Sequence, residues 1–347
     1  MSLHAVNTQI INTITPRDFG DVRAEYEAIR NAAALIDLSP AAKFEVSGKN
    51  AVPFINGLIT NDVKTLKAGD GTLAAFLNVQ GKVVSICRFY QTGEHLLIEC
   101  DWANRETLFK NLSRFVPAGE FFLKDVTEEL ALLSLQGPIA SELFLALTEQ
   151  PVEAEPEYRN FQTKIDGINV LIASHSRAGV TGFDIFVPVA AKASVQQALL
   201  GRCAKLVGSE ALEIARLEAG IPREGVDVTD SNILLEAGYE KAVSYTKGCY
   251  LGQEIIARIH WRGQPARQLR GLLVDATELP AKGTELWAAD GKKVGEITSS
   301  ARSFALDQII ALGYVHRYYL TAGTEFTLKR DGVEQGSATI TETPFVQ

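Results

Sequence analysis

The sequence predicts an α+β fold that ends in a small β-barrel. Three observations predict it. Apolar residues recur at helical spacing over 21–36 and 50–60, and then the period changes to that of strands. Helical patterns are segregated from strand patterns instead of alternating with them, which argues against a doubly wound sheet. After residue 268 helices nearly vanish and six short strands follow, a pattern that closes naturally as a barrel.

The elements follow in order. Val22, Tyr26, Ile29 and Ala33 define one face of the first helix, and Val52, Ile55 and Ile59 that of the second. Residues 72–79, 82–90 and 95–100 read as a meander turned by Gln80-Gly81 and Thr92-Gly93-Glu94. Asp101 is placed to cap a helix carrying Leu108, Leu112 and Phe115. Residues 130–135, 168–173 and 183–189 are apolar strands, with a polar, proline-bearing loop around 151–156. Ser209 is placed to cap a helix with Ala211, Ile214 and Leu217 inward. The barrel strands fall near 269–274, 284–287, 293–299, 309–315, 324–329 and 334–341. Asp290-Gly291 and Asp331-Gly332 mark hairpins. There is no internal repeat.

Bulk properties narrow the function. A net charge of −8 and a pI near 5.3 argue against general nucleic-acid or anionic-membrane binding. No apolar run is long enough to span a bilayer, and the N-terminus lacks a signal pattern. The four cysteines (Cys87, Cys100, Cys203 and Cys249) form no CxxC pair, which argues against a metal site within one chain and fits a reducing, cytoplasmic setting. No GxGxxG, Walker A, HExxH or GxSxG motif occurs.

The chemistry concentrates in KGCYLGQEIIARIHWRG, residues 247–263. Two glycines flank Cys249 and Tyr250, allowing a tight turn or close approach. Gln253-Glu254 opens an apolar run, so a helix would pair Glu254 with Arg258 at i,i+4. Cys249 would then precede a helix N-terminus with Lys247 nearby, and both features favour a reactive thiolate. The plain alternative is a small cysteine in a glycine turn, with Arg258, Arg262 and Arg267 on a solvated face.

The run KGCYLGQE, with Ala257-Arg258, Arg262-Gly263 and Arg267-Gln268-Leu269, resembles the signature of YgfZ-type folate-binding proteins, relatives of the glycine-cleavage T-protein. The resemblance continues through Asp37-Leu38-Ser39, Phe44–Gly48, Leu58-Ile59-Thr60-Asn61-Asp62-Val63, Leu135–Pro138, Arg216-Leu217-Glu218-Ala219-Gly220, Gly295–Ser299 and Ile310–Gly313. It implies two intertwined α+β subdomains over 1–265, one centred on 48–130, and a six-stranded barrel over 266–347, around a central folate channel. It implies tetrahydrofolate or a derivative as ligand, and iron–sulfur client or assembly proteins as partners. Cys249 is then the functional thiol, flanked by Lys247, Tyr250, Gln253 and Glu254.

Two departures from the transferase pattern stand out. The Asp pair of aminomethyltransferases falls on Ser85-Ile86 in Gly81–Ile86. Losing such a group costs roughly 10²–10⁴-fold in rate. The segment carrying the pterin-binding Glu is shortened to Thr181-Gly182-Phe183-Asp184. Glu218, Asp184, Glu236 and Glu240 are the remaining pterin candidates. Arg216, by its place in the RLEAG run, and Arg258 are the candidates for the anionic folate. The leading reading is a tetrahydrofolate-binding accessory protein for iron–sulfur proteins. The alternatives are an aminomethyltransferase or other one-carbon transferase, and a binding module with a vestigial folate site.

Overall fold

The computed structural model describes residues 15–148 and 151–346. The N-terminal stretch read for targeting signals lies outside the described residues. The chain forms two compact units. The first comprises 1–48, 67–71 and 90–212, and the second 49–66, 72–89 and 213–347.

In the first unit, α1 (Val22–Asn31) starts at Asp21, whose carboxylate accepts the Ala24 N–H at 3.0 Å. The helix stops short of residue 36. Ala34–Asp37 instead form β1, antiparallel to β7 (Leu130–Gln136) and parallel to β11 (Lys205–Leu206). Helical spacing through Ala33 and Ile36 hid this switch. Pairing on both edges and full burial of Leu35 outweigh the local preference.

The sheet continues through β10 (Gly182–Pro188), β9 (Ile168–Ser174) and β8 (Asn160–Ile165), giving the order β11-β1-β7-β10-β9-β8. α4 (Ala140–Thr148) and α5 (Lys192–Leu200) contribute Phe144, Val195 and Leu199 to a core with Leu133, Leu135, Phe183 and Ile185. Burying each such side chain stabilises by roughly 1.5–3 kcal/mol. Phe144 and Phe183 meet edge to face at 5.1 Å. In the same unit β2 (Ala42–Ser47) lies between β5 (Leu96–Cys100) and β6 (Phe122–Asp125). Asp101 caps a short turn, from which α3 (Arg105–Ser113) runs with Leu108 and Leu112 inward. Phe115 falls beyond the helix end.

The second unit holds α2 (Ala51–Leu58) and, over residues 72–89, most of the hairpin of β3 (Gly71–Leu77) and β4 (Val83–Gln91). α6 (Ser209–Glu218) begins at Ser209 itself, with Ala211, Ile214 and Leu217 buried. α7 spans Gln253–Arg262.

The barrel is formed by β12 (Arg267–Asp275), β13 (Glu285–Trp287), β14 (Lys293–Ser303), β15 (Gln308–His316), β16 (Glu325–Arg330) and β17 (Val333–Thr341). It closes in the order β12-β15-β14-β13-β16-β17. Alternating residues such as Leu272, Val274, Ala311, Val315, Leu328 and Ile340 fill its interior. Asp331 and Gly332 both have positive φ (51° and 79°), the geometry of a two-residue hairpin turn.

Candidate functional site

Segment 247–254 is fastened from beneath by the Leu58–Val63 loop. Thr60 donates through Oγ1 to Ala242 O at 2.6 Å, and its own carbonyl accepts the Ser244 N–H at 3.0 Å. Asn61 donates to Lys241 O at 3.1 Å. The Lys247 ammonium donates to three carbonyls: Asn56 O at 2.6 Å, Ile59 O at 2.8 Å and Asn61 O at 2.5 Å. All three of its protons are thereby engaged, two of them around the C-terminal end of α2, where a cation complements the helix dipole. Burial pulls the Lys247 pKa down to about 8. The Lys247 N–H groups thus point into the loop and none donates to the Cys249 thiol.

The second glycine of the motif is a contact requirement. Gly252 has φ +82°, and a Cβ there would stand 2.6 Å from Asn78 O. Gly81 (φ +72°) faces Ile255 of α7 in the same way, at 2.7 Å. The 78–81 turn is tied by Asn78 Oδ1, which accepts from the Gln80 and Lys82 N–H groups. The motif is thus docked against the β3–β4 turn while its middle faces outward.

Cys249 is exposed and Tyr250 half-buried. The Tyr250 N–H donates to Gln253 Oε1 at 3.2 Å, and burial pushes its phenol up to about 12. Lys247 Nζ lies 5.3 Å from the Tyr250 ring centre. Glu254 and Arg258 are both exposed, and no ion pair joins them among the described residues, contrary to the spacing argument. On α7, His260 stacks on Tyr245 at 3.7 Å and Trp261 stands edge-on to His260 at 4.7 Å.

The other expected site residues are dispersed. Asp184, in the first unit, is fully buried and accepts Arg177 Nε and Nη2 at 2.9 and 2.6 Å. In the second unit, Arg216 is 4% exposed and paired on both sides. It donates to Glu213, to Ile221 O and to Asp227. Glu218 accepts Ser303 Oγ at 2.6 Å and the Ala305 N–H at 3.3 Å. Glu240 is exposed. Glu236 differs from these. It is buried, but only its Oε2 is engaged, by the Ile233 N–H at 3.2 Å and Arg267 Nε at 3.4 Å. Its Oε1 keeps open acceptor capacity toward the described residues.

Three groups escaped the sequence reading. Asp227 is a buried hub that accepts from Arg216, the Arg223 N–H, Thr298 and Ser299. On β4, Ser85 is fully buried and the Ile86 N–H donates to Glu224 Oε1 at 2.9 Å, so a carboxylate reaches this strand from a distant segment. Arg270 is half-buried, donates only to Leu269 O and the Gln268 side chain, and has no ion pair among the described residues. None of the three sits in a motif whose spacing signals its role.

Among the described residues no group of three or more His, Cys, Asp or Glu is placed to hold a metal ion, and no helix is long and apolar enough to cross a membrane.

The fold and this segment define an α+β protein closed by a six-stranded barrel. Residues 3–247 match the GCVT N-terminal domain, and 267–347 match the glycine cleavage T-protein C-terminal barrel domain. The chain belongs to the glycine cleavage T-protein family. It is 33% identical over 343 residues to an aminomethyltransferase of Symbiobacterium thermophilum, covering 95% of this chain and 90% of the relative. A second aminomethyltransferase, from Thermoanaerobacter pseudethanolicus, is 29% identical over 319 residues, covering 90% of this chain and 86% of the relative. The crystal structure of the glycine cleavage system aminomethyltransferase T from Bartonella henselae shares the fold. Its TM-score is 0.84 at 22% identity, over 97% of this chain and 96% of that one.

Proposed function

We propose that this chain binds tetrahydrofolate or a derivative and works on or through its one-carbon unit in the cytoplasm. The folate region is 1–265 and the barrel 266–347. The observation that carries the reading is Glu236, a buried carboxylate with an open oxygen. A pterin presents an N–H and an amino group side by side, and one such carboxylate can accept both. Arg270 and the exposed Arg258 fit the anionic tail better than Arg216, which is buried and already paired with Glu213 and Asp227.

Two readings differ in the step after binding. The relatives' names support tetrahydrofolate-dependent aminomethyl transfer, and Glu224 beside Ile86 supplies a carboxylate to the strand that lacks the Asp pair. A glycine-cleavage assay with a lipoyl carrier protein tests this reading. Turnover that falls roughly 10²-fold or more in Glu224→Gln supports it. No turnover in the wild-type chain rejects it.

The second reading, an accessory role in assembly or repair of iron–sulfur proteins, is favoured by the Cys249 thiol. It is held outward by an anchored lysine and a docked glycine, where ordinary transfer needs no thiol. Under this reading, loss of the gene lowers cluster-dependent enzyme activities, and the Cys249→Ala variant does not restore them. Full restoration by that variant rejects a role for the thiol.

A further inference from the structure

We propose that Arg267 is a positioning residue for the folate carboxylate: it acts on the ligand through Glu236, by fixing which oxygen of that carboxylate stays open. The inference rests on the folate reading and adds one residue to it. Glu236 is buried on the short helical turn Leu234–Ala237. Backbone contacts tie this turn to the start of β4. The Val83 N–H donates to Asn232 O at 3.0 Å, and Lys82 forms a β-bridge with Ile233. The Glu236 side chain then folds back on its own turn, and its Oε2 accepts the Ile233 N–H at 3.2 Å. One such contact leaves the carboxylate free to turn about its last bond, since the terminal torsion of a Glu is broad.

Arg267 supplies the second contact, from a different element. It opens β12 of the barrel, and its Nε–H donates to the same Oε2 at 3.4 Å. Two donors on one oxygen, one from the turn and one from the barrel, hold the carboxylate in one orientation. Oε1 is left without a donor among the described residues. Arg267 is itself held in place by the strand register. On β12 and β15, Arg267 stands opposite His316 and Leu269 opposite Tyr314, so Tyr314 is the diagonal neighbour of Arg267 on one face. The guanidinium lies 4.6 Å from the centre of the Tyr314 ring, and that residue is buried, so the ring is a fixed platform for the cation. Arg177 and Arg216 each meet two carboxylates and serve the fold. Arg267 meets one, and that one is the carboxylate with the open oxygen.

A double-mutant cycle in tetrahydrofolate affinity tests the assignment, by anaerobic calorimetric titration of the full chain and its Arg267→Met, Glu236→Gln and doubly substituted forms. Arg267→Met is expected to weaken tetrahydrofolate at least about tenfold when Glu236 is present, a change corresponding to about 1.4 kcal/mol. In the Glu236→Gln background the same substitution is expected to weaken it less than about twofold, because residues that act as one unit are not additive. Undiminished binding by Arg267→Met would overturn the assignment. So would equal weakening in both backgrounds, which would mean that Arg267 touches the ligand itself or only supports the fold. Arg267→Lys keeps a cation beside the Tyr314 ring and is expected to bind at least about threefold more tightly than Arg267→Met. A Lys variant no better than the Met variant would also overturn the assignment. Absent binding to the wild-type chain would remove the folate reading and the assignment with it, whereas wild-type binding with any of these contrary results would remove the assignment alone.

Discussion

Two cationic centres, one buried in the first unit and one half-buried in the second, are organised in opposite ways. In the first unit, Arg177 forks onto Asp184 and reaches Glu99 at 3.5 Å, and nearby Lys43 donates to Ser39 O and Ala41 O. The cluster is closed: its charges answer each other inside the core. In the second unit, Lys247 has no ion pair among the described residues and its ammonium is held by three backbone carbonyls, while Cys249, two residues on, stays exposed. The first arrangement fixes a fold. The second uses a half-buried anchor and leaves a thiol exposed. Both Asp184 oxygens are engaged by Arg177, whereas Glu236 keeps one oxygen open.

The largest effect should come from opening the closed cluster. Asp184→Ala leaves Arg177 buried beside Glu99 alone and should cost about 3–5 kcal/mol in urea unfolding. A cost below about 1 kcal/mol would show that the cluster is not the structural centre claimed.

Lys247→Met should come next, at roughly 1–3 kcal/mol, because three carbonyls lose their donor. The exposed Lys241→Met, changed in parallel, should stay within about 0.5 kcal/mol of wild type. Equal effects would erase the distinction between anchor and surface lysine.

Gly252→Ala should cost roughly 1–3 kcal/mol from positive φ and the clash with Asn78 O. Gly248, with no atom within 4 Å of an added Cβ, should tolerate the same change with little loss. Matching costs would mean that the motif is not docked on the 78–81 turn.

The last prediction is a pH dependence. Burial brings the Lys43 pKa from 10.5 to about 8. Between these values the folded state binds fewer protons than the unfolded one, so unfolding free energy rises with pH across this window. The cost of burying the charge is complete below the window and gone above it. Lys43→Met should flatten that part of the curve, and an unchanged slope would contradict the assignment.

Much of the architecture is legible in the chain. The barrel strands announce themselves through alternation and the Asp-Gly turns, because each is short, half-buried and closed by local chemistry. Strands β2, β6, β8 and β11 do not, and β1 imitates the end of α1. Their identity depends on partners far away in sequence, such as the Leu130–Gln136 strand beside Ala34–Asp37. The site divides the same way. The glycines and the cysteine of 247–254 are visible as a motif. The direction of the Lys247 ammonium, the pairing of Arg216 with Asp227, and the approach of Glu224 to Ile86 are tertiary facts that no spacing encodes.

The central claim is that this T-protein-family chain holds a reduced folate through Glu236. Anaerobic calorimetric titration with tetrahydrofolate tests it directly. Micromolar binding to the wild-type chain, weakened at least about tenfold in Glu236→Gln, is the predicted result, since the amide loses the paired, charge-assisted acceptor. Millimolar or absent binding to the wild-type chain, or equal affinity in the variant, would contradict it.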